Sequence, residues 1–229
     1  MSQPLVSVIL SVKNGEKYLK DAIDSVLQQS WQNYEFLVID GKSSDRTAKI
    51  AQSYSQIRYV RQQNEGIADA YNLGIQQGTG EILAFISHDD LWTPDKLKIQ
   101  VKCLQDNPQL QYTVAKVKFF LETANSIPPG FRPELLTGEH TGFIMETLVV
   151  RKKLFETVGS FNSSYQVAED VEWFSRIHDA NIAHQVVSEV LLHKRVHNTN
   201  TSLNSSDNNQ NLLKIMRQSI KRKRNQKSL

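Results

Sequence analysis

The sequence predicts an α/β fold in which helices flank a mainly parallel β-sheet. The 229 residues are 39% hydrophobic, which is enough to bury a sizeable core. In the first half of the chain, short continuous apolar runs alternate with amphipathic helical patterns, and this alternation is typical of β-α-β units. Polar clusters follow the ends of these runs, where open parallel sheets bind their ligands.

The elements of the first half come in the order β-α-β-α-β-α-β. Leu5 to Val12 is a continuous apolar and β-branched run, as expected of a strand that is covered on both faces. Between Tyr18 and Leu27, apolar residues recur at helical spacing with charged residues between them. The other elements predicted here are a strand at Phe36 to Ile39, a helix that Ser43 or Ser44 caps and that ends at Ser55, a strand at Ile57 to Val60, a helix at Ile67 to Gln77 and a strand at Ile82 to Ile86.

The second half of the chain predicts mixed rather than parallel strand pairing, because the regular alternation of strand and helix stops there. A polar stretch from Asn198 to Asn211 is expected to link this half to a basic terminal helix. The remaining predicted elements are a helix from about Pro94, a strand at Tyr112 to Leu121, a loop at Ile127 to His140, a strand at Phe143 to Val150, a helix at Ala168 to Asp179 and short strands at Ile182 to Val187 and Val190 to Leu192.

The positive charge of the chain belongs to its C-terminal end. Residues 214–229 hold seven bases and no acid, whereas the rest of the chain carries 20 basic and 24 acidic residues. The composition therefore excludes a basic nucleic-acid-binding domain. The single cysteine, Cys103, excludes an internal disulfide and a cysteine-based zinc site. Met1 to Ser7 lacks the basic region of a signal peptide and no apolar run could span a bilayer, so we expect a cytoplasmic protein.

Two adjacent acids, Asp89 and Asp90, follow the apolar run that ends at Ile86. Carboxylates at a strand end supply the oxygen ligands that a hard cation prefers, and such a cation neutralises phosphate oxygens. The alternative is that Asp90 begins a turn ahead of a helix near Thr93-Pro94, with no metal at all.

Other polar clusters follow the other strand ends. Asn14 follows the first strand and Asp40 the second, where hydrogen bonds to a base or a ribose are expected. A third cluster comprises Asn64, Gly66, Asp69 and Asn72. Helix capping or a solvated surface would explain each cluster alone, but their conjunction at successive strand-to-helix turns favours a nucleotide site.

Glu169 and Asp170 begin a helix whose apolar residues anchor it to the core. A carboxylate at a helix N-terminus is favoured in its ionised form and can act as a general base. Compensation of the helix dipole is the alternative interpretation. His197, with Lys194 and Arg195 before it, is suited to contact phosphate, although a histidine alone on the surface is the commoner arrangement.

Four stretches of the chain resemble the family 2 glycosyltransferases, and they occur in the order of that family. They are VSVILSVKNGEKYLKDAIDSVLQQS, FLVIDGKSSDRT, NEGIADAYNLGIQQGTGEILAFISHDD and GSFNSSYQVAEDVEWFSRI. The similarity runs from about Val6 to His197, which is most of the chain. It implies inverting transfer from a nucleotide-diphosphate sugar and the fold called GT-A, a Rossmann-like, mainly parallel sheet with a mixed half on the acceptor side.

The resemblance also implies roles on the donor side. Asp40 would read the nucleobase, and the segment from Asn64 to Asn72 would lie along the nucleotide. Asp89 corresponds to the metal-binding acid of the family's DxD motif, with Asp90 beside it. The implied cofactor is a divalent cation, Mn²⁺ or Mg²⁺.

On the acceptor side, Asp170 corresponds to the family's catalytic base, with Glu169 beside it. Arg195 and His197 resemble the family's Arg-x-His near the diphosphate. We expect one GT-A domain at residues 1–211, divided into a nucleotide-sugar half at 1–93 and an acceptor-side half at 94–211. The acceptor is expected to be a glycan or a lipid-linked molecule, in cell-surface polysaccharide or glycolipid synthesis.

The sequence departs from the family pattern at several positions. Ser87 stands where many members have the first acid of DxD, so metal ligation would rest on Asp89 and the diphosphate. Ser11 and Lys13 replace a proline and an aromatic residue of the first loop, and Lys42 replaces a glycine. No Gln-x-x-Arg-Trp motif occurs, which indicates addition of one sugar per encounter rather than processive synthesis.

The basic tail, residues 212–229, predicts an amphipathic helix. Its apolar residues are expected on one helical face, beside the bases: Leu212, Leu213, Ile215, Met216 and Ile220. Such a face either lies on an anionic membrane surface or packs back on the domain.

Two other function classes remain open. A sugar nucleotidyltransferase would carry a Gly-rich, Arg-containing loop after the first strand, where Val12 to Lys17 has only Gly15. A non-catalytic nucleotide-sugar-binding protein is favoured by Ser87 and opposed by Asp89 and Asp170.

Overall fold

The structure is a computed structural model that describes residues 3–123, 126–165, 167–203 and 205–226. Lys227 of the basic tail lies outside these residues. Within them, the strands form a single mixed sheet of nine, in the order β3-β2-β1-β4-β8-β6-β9-β5, with β7 paired to β6. The elements of the first half are β1 (Val6–Val12), α1 (Leu19–Leu27), β2 (Tyr34–Asp40), α2 (Thr47–Gln52), β3 (Ile57–Arg61), α3 (Ile67–Gln77) and β4 (Ile82–Ser87).

The first half is parallel, as predicted. Strand β1 lies between β2 and β4, and β3 extends the sheet beyond β2, all in parallel register. The order of strands therefore reverses at β1, with later strands added on both sides. The crevice beyond the carboxyl ends of β1 and β4 is the place where such a sheet binds a ligand.

The second half is mixed, also as predicted. Strand β8 pairs antiparallel with β4 and with β6, whereas β6 and β9 are parallel and β5 is antiparallel to β9. The elements are β5 (Leu91–Trp92), α4 (Lys96–Asp106), β6 (Tyr112–Leu121), β7 (His140–Thr141), β8 (Val149–Arg151), α5 (Lys153–Val158), α6 (Glu169–Asp179), β9 (His184–Val196) and α7 (Ser205–Gln226), with 3₁₀ turns at Pro133–Leu136, Met145–Thr147 and Thr201–Leu203.

The hydrophobic core lies on both faces of the sheet. Alternate residues of β1 point to opposite faces, so Val8 and Leu10 pack with α1 and α4 while Ile9 packs with α3 and α6. All three side chains are fully buried. A strand that is covered on both faces explains the continuous apolar run in the sequence.

One predicted strand is interrupted in the structure. The run from Phe143 to Val150 contains a 3₁₀ turn at Met145–Thr147, and β8 is only three residues long. The Thr147 hydroxyl closes this turn with hydrogen bonds to the carbonyls of Gly142 and Ile144, at 2.5 and 2.9 Å. The apolar pattern did not distinguish this compact turn from a strand, because both are buried.

The two short strands predicted at Ile182 to Val187 and Val190 to Leu192 are instead one strand, β9. The pairing passes from Val114 with Val186 to Lys116 with Val190, so β9 contains two more residues than β6 at this point. Such a bulge leaves the extra residues outside the regular pairing. Its polar residues, Ser188 and Glu189, gave the appearance of a break between strands.

The predicted helix after β2 is shorter than expected. Helix α2 covers only Thr47–Gln52, and the residue before it, Arg46, makes no side-chain cap. The serines that were expected to cap the helix, Ser43 and Ser44, hydrogen-bond with Asn14 instead.

The polar stretch predicted as a linker is partly helical, because α7 begins at Ser205. This helix packs against α6, where Ser219 and Arg222 donate hydrogen bonds to Asp179 at 2.8 and 2.7 Å. Ile215 is buried on the same side of α7. Ile215 therefore packs back on the domain, as one of the two alternatives for this face expects, whereas Leu213, Met216 and Ile220 are exposed. No helix in the described part of the chain is long and apolar enough to cross a membrane.

Candidate active site

The loops after β1 and β2 are joined by Asn14. Its backbone N–H donates to the Ser43 hydroxyl at 2.8 Å, and its Oδ1 accepts the backbone N–H of Ser44 at 2.8 Å. Asn14 has φ of 53°, a left-handed conformation that asparagine tolerates better than most residues. The side chain of Asn14 thus stands at the junction of the two loops.

The loop after β4 reaches the same place. A Cβ atom at Gly15 would lie 2.5 Å from the Cδ2 atom of His88, so glycine is required for the close approach of the two loops. The loops that follow β1, β2 and β4 therefore adjoin at one edge of the sheet. That Asn14, Asp40 and Asp89 form one ligand site there stays a prediction.

Asp40 is buried at the end of β2. Its Oδ1 accepts the backbone N–H of Ser43 at 2.9 Å and its Oδ2 accepts the hydroxyl of Tyr59 at 2.6 Å. Burial, together with this hydrogen bond to Asp40, raises the pKa of Tyr59 to about 12, so Tyr59 remains a donor at neutral pH. The nucleobase contact expected of Asp40 stays a prediction, and it would require Asp40 to share or exchange one of these partners.

Asn64 and Gly66 lie in the exposed loop before α3. Gly66 has φ of 98° with open space around its Cα, so the backbone conformation rather than crowding requires glycine there. The Gln62 amide donates to the Gly66 carbonyl at 3.0 Å and fixes the turn. The contact of Asn64 and Gly66 with a nucleotide stays a prediction.

Asp69 and Asn72 lie on one face of α3 and contact the segment that precedes α6. The Asn72 amide donates to the Phe161 carbonyl and accepts the Phe161 N–H, both at 2.9 Å. The Ser163 hydroxyl donates to Asp69 Oδ1 at 2.7 Å. The geometry gives these two side chains a positioning role toward the α6 segment, while the nucleotide contact expected of them stays a prediction.

Asp89 is almost buried at the carboxyl end of β4. Its Oδ2 accepts hydrogen bonds from His197 Nε2 at 2.9 Å and from Asn200 Nδ2 at 3.2 Å. The backbone N–H of Thr199 faces His197 Nδ1 at 3.3 Å, so the imidazole proton is assigned to Nε2, toward Asp89. Burial alone would raise the pKa of Asp89, but the His197 hydrogen bond and nearby positive charges hold it below the usual range.

Asp90 is fully buried and joins β4 to β9. Its two oxygens accept the Lys194 ammonium at 2.8 Å and the backbone N–H of Arg195 at 2.9 Å. Asp90 does not cap the next helix, because α4 begins at Lys96 and Asp95 is the residue before it. Whether a metal binds beside Asp90 stays a prediction. A fully buried carboxylate is stable only when such partners satisfy it.

Arg195 is held between several groups. Its Nε donates to the backbone carbonyl of Asp89 at 3.0 Å, and its Nη2 lies 3.2 Å from Asp21. The guanidinium also stacks over the rings of Tyr18 and Phe120, at 4.8 and 4.9 Å. These contacts place Arg195 beside the end of β4, and its expected contact with a diphosphate stays a prediction.

Glu169 and Asp170 form the first turn of α6. Burial and the charge of Glu146 raise the pKa of Asp170 to about 6. Burial and the neighbouring Asp170 raise the pKa of Glu169 to about 8. At neutral pH Asp170 is therefore ionised and Glu169 is protonated, so two adjacent carboxyl groups have different charge states.

Helix α6 is anchored to the core as the sequence predicted. Trp173 and Ile177 are fully buried and Phe174 nearly so. The indole N–H of Trp173 donates to the Gly159 carbonyl at 3.2 Å, and Arg176 donates to the Val158 carbonyl at 2.6 Å. The position of Asp170 is thus fixed by a rigid helix rather than by a loop.

Glu146 is the site residue that the sequence did not reveal. It is buried in the 3₁₀ turn before β8, where its Oε1 accepts the Ser87 hydroxyl at 2.6 Å and lies 3.3 Å from Lys194 Nζ. Its charge acts on Asp170 and Glu169, raising the pKa of each. An acid inside an otherwise apolar run was the only signal in the sequence.

Comparison with known families decides the classification. The model of the family described as glycosyl transferase family 2 matches residues 7–163. The chain belongs to glycosyl transferase family 2. The match includes the loops after β1, β2 and β4 and the Glu146 turn, and it ends just before α6.

Two relatives illustrate the sequence similarity to other family 2 glycosyltransferases. An uncharacterized glycosyltransferase of Rickettsia typhi is 32% identical over 211 residues, covering 77% of this chain and 65% of the relative. TuaG of Bacillus subtilis, provisionally named a teichuronic acid biosynthesis glycosyltransferase, is 35% identical over 109 residues, covering 45% of this chain and 43% of TuaG. The chain thus spans less than two thirds of each of these relatives.

The mannosyltransferase PcManGT of Pyrobaculum calidifontis, solved with GDP-mannose and Mn²⁺, has a similar structure. The TM-score is 0.71 at 20% identity, and the match covers 96% of this chain and 65% of PcManGT. This similarity confirms the GT-A fold expected for a family 2 glycosyltransferase.

Proposed function

We propose that the chain transfers one sugar from a nucleotide-diphosphate sugar to an acceptor hydroxyl, with inversion at the anomeric carbon. The observation that carries the proposal is Asp170, a partly buried carboxylate on a rigid helix whose pKa is raised to about 6. Such a group is ionised at neutral pH and more basic than an ordinary aspartate, as a general base must be. Membership of family 2 supports the same reaction class.

The donor is proposed to bind at residues 1–93. Asn14, Asp40 and the loop from Asn64 to Gly66 lie at or near the carboxyl ends of β1, β2 and β3, beside the crevice where the strand order reverses. Such crevices bind nucleotides in open α/β sheets. The GDP-mannose bound to PcManGT supports a nucleotide sugar as the donor class.

Asp89 is the proposed ligand of a divalent cation. Its Oδ2 is held by His197 and Asn200, whereas no donor in the described part of the chain contacts its Oδ1. The described residues contain no group of three or more His, Cys, Asp or Glu side chains that could hold a metal by themselves. One carboxylate oxygen suits Mg²⁺ or Mn²⁺ that arrives with a diphosphate, since such ions are bound by one or two carboxylates plus phosphate oxygens. When bound there, the cation would supply positive charge to the leaving group.

The proposed reaction is a single displacement. Asp170 accepts the proton of the acceptor hydroxyl as the acceptor oxygen forms its bond to the anomeric carbon. The bond between that carbon and the donor phosphate oxygen breaks, and the nucleoside diphosphate leaves with the electron pair. Attack opposite the leaving group inverts the configuration, as in inverting glycosidases. Arg195 and His197 are proposed to lie near the diphosphate.

The acceptor is proposed to bind at residues 94–211, which include α6. We propose a glycan or lipid-linked acceptor, used in cell-surface polysaccharide or glycolipid synthesis, with one sugar added per encounter. The provisional name of TuaG supports a polysaccharide pathway for that relative. This chain lacks the Gln-x-x-Arg-Trp motif, which supports the non-processive mode.

We propose further that the protein works on the cytoplasmic face of a membrane, bound through residues 212–229. Leu213, Met216 and Ile220 are 56, 60 and 51% exposed on α7. Arg217 and Lys221 lie on the same exposed side of the helix. An apolar stripe with flanking bases suits a surface of anionic lipids.

The test is a transfer assay with UDP-glucose and GDP-mannose as donors, Mn²⁺, and a panel of lipid-linked and glycan acceptors. We expect a product whose new glycosidic bond has the opposite anomeric configuration to the donor, measured by proton NMR. A product of retained configuration would contradict the single displacement. Nucleotide-sugar binding without any transfer would favour the non-catalytic alternative.

A further inference from the structure

Glu146 places a carboxylate at the end of strand β4, whose own last residue is Ser87. The Ser87 hydroxyl donates to Glu146 Oε1 at 2.6 Å, across 59 residues of sequence. Ser87 occupies the position where the resemblance to family 2 leads one to expect an acid. A negative charge is therefore present at this point of the site, but it comes from the turn before β8.

The Glu146 turn is rigidly mounted. The indole N–H of Trp92 donates to the Glu146 carbonyl at 3.1 Å. The next carbonyl, of Thr147, accepts the Gln100 amide at 2.9 Å and the buried Lys96 ammonium at 3.2 Å. Donors from β5 and α4 thus fix the backbone on both sides of the side chain. A group held this firmly is suited to recognise a ligand geometrically.

Only one oxygen of the Glu146 carboxylate is engaged. Oε1 lies within reach of the Ser87 hydroxyl and of Lys194 Nζ, at 2.6 and 3.3 Å. No donor in the described part of the chain contacts Oε2, although the residue is only 8% exposed. Among the described residues, Thr93 Oγ1 is the only buried side-chain oxygen or nitrogen without a partner, so Oε2 of Glu146 keeps part of the small exposed area of its side chain. This oxygen is therefore open to a hydroxyl of a ligand, which can donate a hydrogen bond to it.

Glu146 also interacts with residues proposed to act on the leaving group and with the proposed general base. On one side its Oε1 shares Lys194 with Asp90, next to the proposed metal ligand Asp89. On the other side its charge raises the pKa of Asp170, the proposed base. In a single displacement the transferred sugar lies between the leaving diphosphate and the attacking hydroxyl, and Glu146 interacts with residues proposed to act on each of them.

We propose that Glu146 is a sugar-recognising residue, whose Oε2 accepts a hydrogen bond from a hydroxyl of the donor sugar. It supplies from the turn before β8 the carboxylate that Ser87 lacks. This inference rests on the proposed function, because it requires a nucleotide-sugar donor in the crevice.

The test compares ligands that differ only in the sugar. Calorimetry with Mn²⁺ gives the affinities for UDP and UDP-glucose, and for GDP and GDP-mannose. In Glu146→Gln we expect the affinity for the preferred nucleotide sugar to fall by roughly tenfold, the effect of losing one hydrogen bond to a charged group. Binding of the free nucleotide should stay within about twofold of the parent, since it lacks the sugar. Free-nucleotide binding also reports that the variant is folded.

Two further experiments accompany Glu146→Gln. One is a control variant at an unrelated carboxylate, and the other moves the carboxylate from position 146 to position 87. Glu139→Gln removes an exposed carboxylate that pairs with Lys116 at 3.0 Å, and it should change neither affinity. Ser87→Asp alone places a second carboxylate against Glu146 and should weaken nucleotide-sugar binding. The double variant Ser87→Asp with Glu146→Gln should return to within about threefold of the parent, because the charge has only moved.

Three results would overturn the inference. Equal losses for free nucleotide and nucleotide sugar in Glu146→Gln would mean that the residue only supports the site. An unchanged affinity for the nucleotide sugar would mean that Glu146 does not face the sugar. A double variant no better than Glu146→Gln would mean that the two positions are not equivalent. If the parent protein binds neither nucleotide sugar, the proposed function fails as well.

Discussion

The imidazole of His197 lies 2.9 Å from the carboxylate of Asp89, with Nε2 facing Oδ2, although 108 residues separate them in the chain. The pair joins the end of β4 to the segment after β9. It fixes the Asp89 side chain and leaves Oδ1 without a donor in the described part of the chain. If a cation binds at Asp89, as proposed, this carboxylate would not have to reorganise first.

Replacement of Asp89 is expected to separate metal-dependent from metal-independent binding. In Asp89→Ala, the Mn²⁺-dependent affinity for a nucleoside diphosphate should fall by roughly 10-fold or more, because the bridging oxygen is lost. Binding of the corresponding nucleoside should hardly change. Calorimetry with UDP and uridine, with and without Mn²⁺, makes the comparison. Equal losses for both ligands would show that Asp89 supports the fold instead.

Replacement of Asp170 is expected to lower the rate of transfer while the affinity for the nucleotide-sugar donor is preserved. Asp170→Asn should lower the rate of transfer by roughly 10²–10⁴-fold, as is typical when general-base catalysis is lost. The affinity for the donor should remain close to that of the parent. Asp95→Asn is the matched control, because Asp95 is an exposed acid directly before α4 and should have no effect. A normal rate in Asp170→Asn would leave Asp170 as a helix-terminus charge only.

The rate of transfer is expected to fall in acid. Asp170 must be ionised to accept a proton, and its pKa is raised to about 6. Below that pH the rate should fall by about tenfold per pH unit, and it should level off above it. A profile of kcat/KM against pH, which reports ionisation in the free enzyme, measures the midpoint. A midpoint near 4, the ordinary value for aspartate, would contradict the environment described for Asp170.

Glu169 is expected to make the protein less stable as the pH rises. Its pKa of about 8 in the folded protein is higher than the ordinary value of 4.5. The neutral form stabilises the folded state fully below pH 4.5, and this stabilisation is lost progressively up to about pH 8. The side chain in the Glu169→Gln variant cannot ionise. Between pH 4.5 and about pH 8, the free energy of unfolding of this variant should therefore rise relative to that of the parent by on the order of 1–3 kcal/mol. Urea unfolding at both pH values tests this, and a difference that is independent of pH would refute it.

Membrane binding through α7 is expected to depend on both its apolar and its basic residues. The triple variant Leu213→Ser, Met216→Ser and Ile220→Ser should abolish co-sedimentation with vesicles that contain phosphatidylglycerol. Arg217→Gln with Lys221→Gln should weaken it, since each base contributes about 1 kcal/mol near an anionic surface. Added salt should weaken binding of the parent. Ile127→Ser, at an exposed loop position, is the matched control.

These substitutions avoid the anchored side of α7. Deletion from Lys221 to Leu229 should also abolish vesicle binding, but it removes Arg222 and Lys223, which contact Asp179. Transfer to a soluble acceptor should be unaffected in the triple variant. Failure of the parent to bind such vesicles even at low salt would exclude a membrane role. A dimer that dissociates in the triple variant would identify a second copy as the partner.

The order of elements in the first half of the chain, from β1 to β4, and the resemblance to family 2 could be read from the sequence itself. In the second half, β5, β7 and α5 were not predicted. Continuous apolar runs such as Leu5 to Val12 identify strands that are buried on both faces, and helical spacing identifies α1. Both patterns are local, because the period of side-chain burial follows from backbone geometry. Asp89 and Asp170 are candidates on the same local grounds, since one follows a recognisable strand and the other begins a recognisable helix.

Only the tertiary structure decided the contacts between segments that are distant in the chain. Glu146 meets Ser87, and Asn72 holds Phe161, because packed turns bring them together. On α7, the contact with Asp179 turns Ile215 inward and leaves Leu213 exposed. No local pattern encodes such pairs, since burial, charge and hydrogen bonding at each depend on which surfaces the folded chain places against each other.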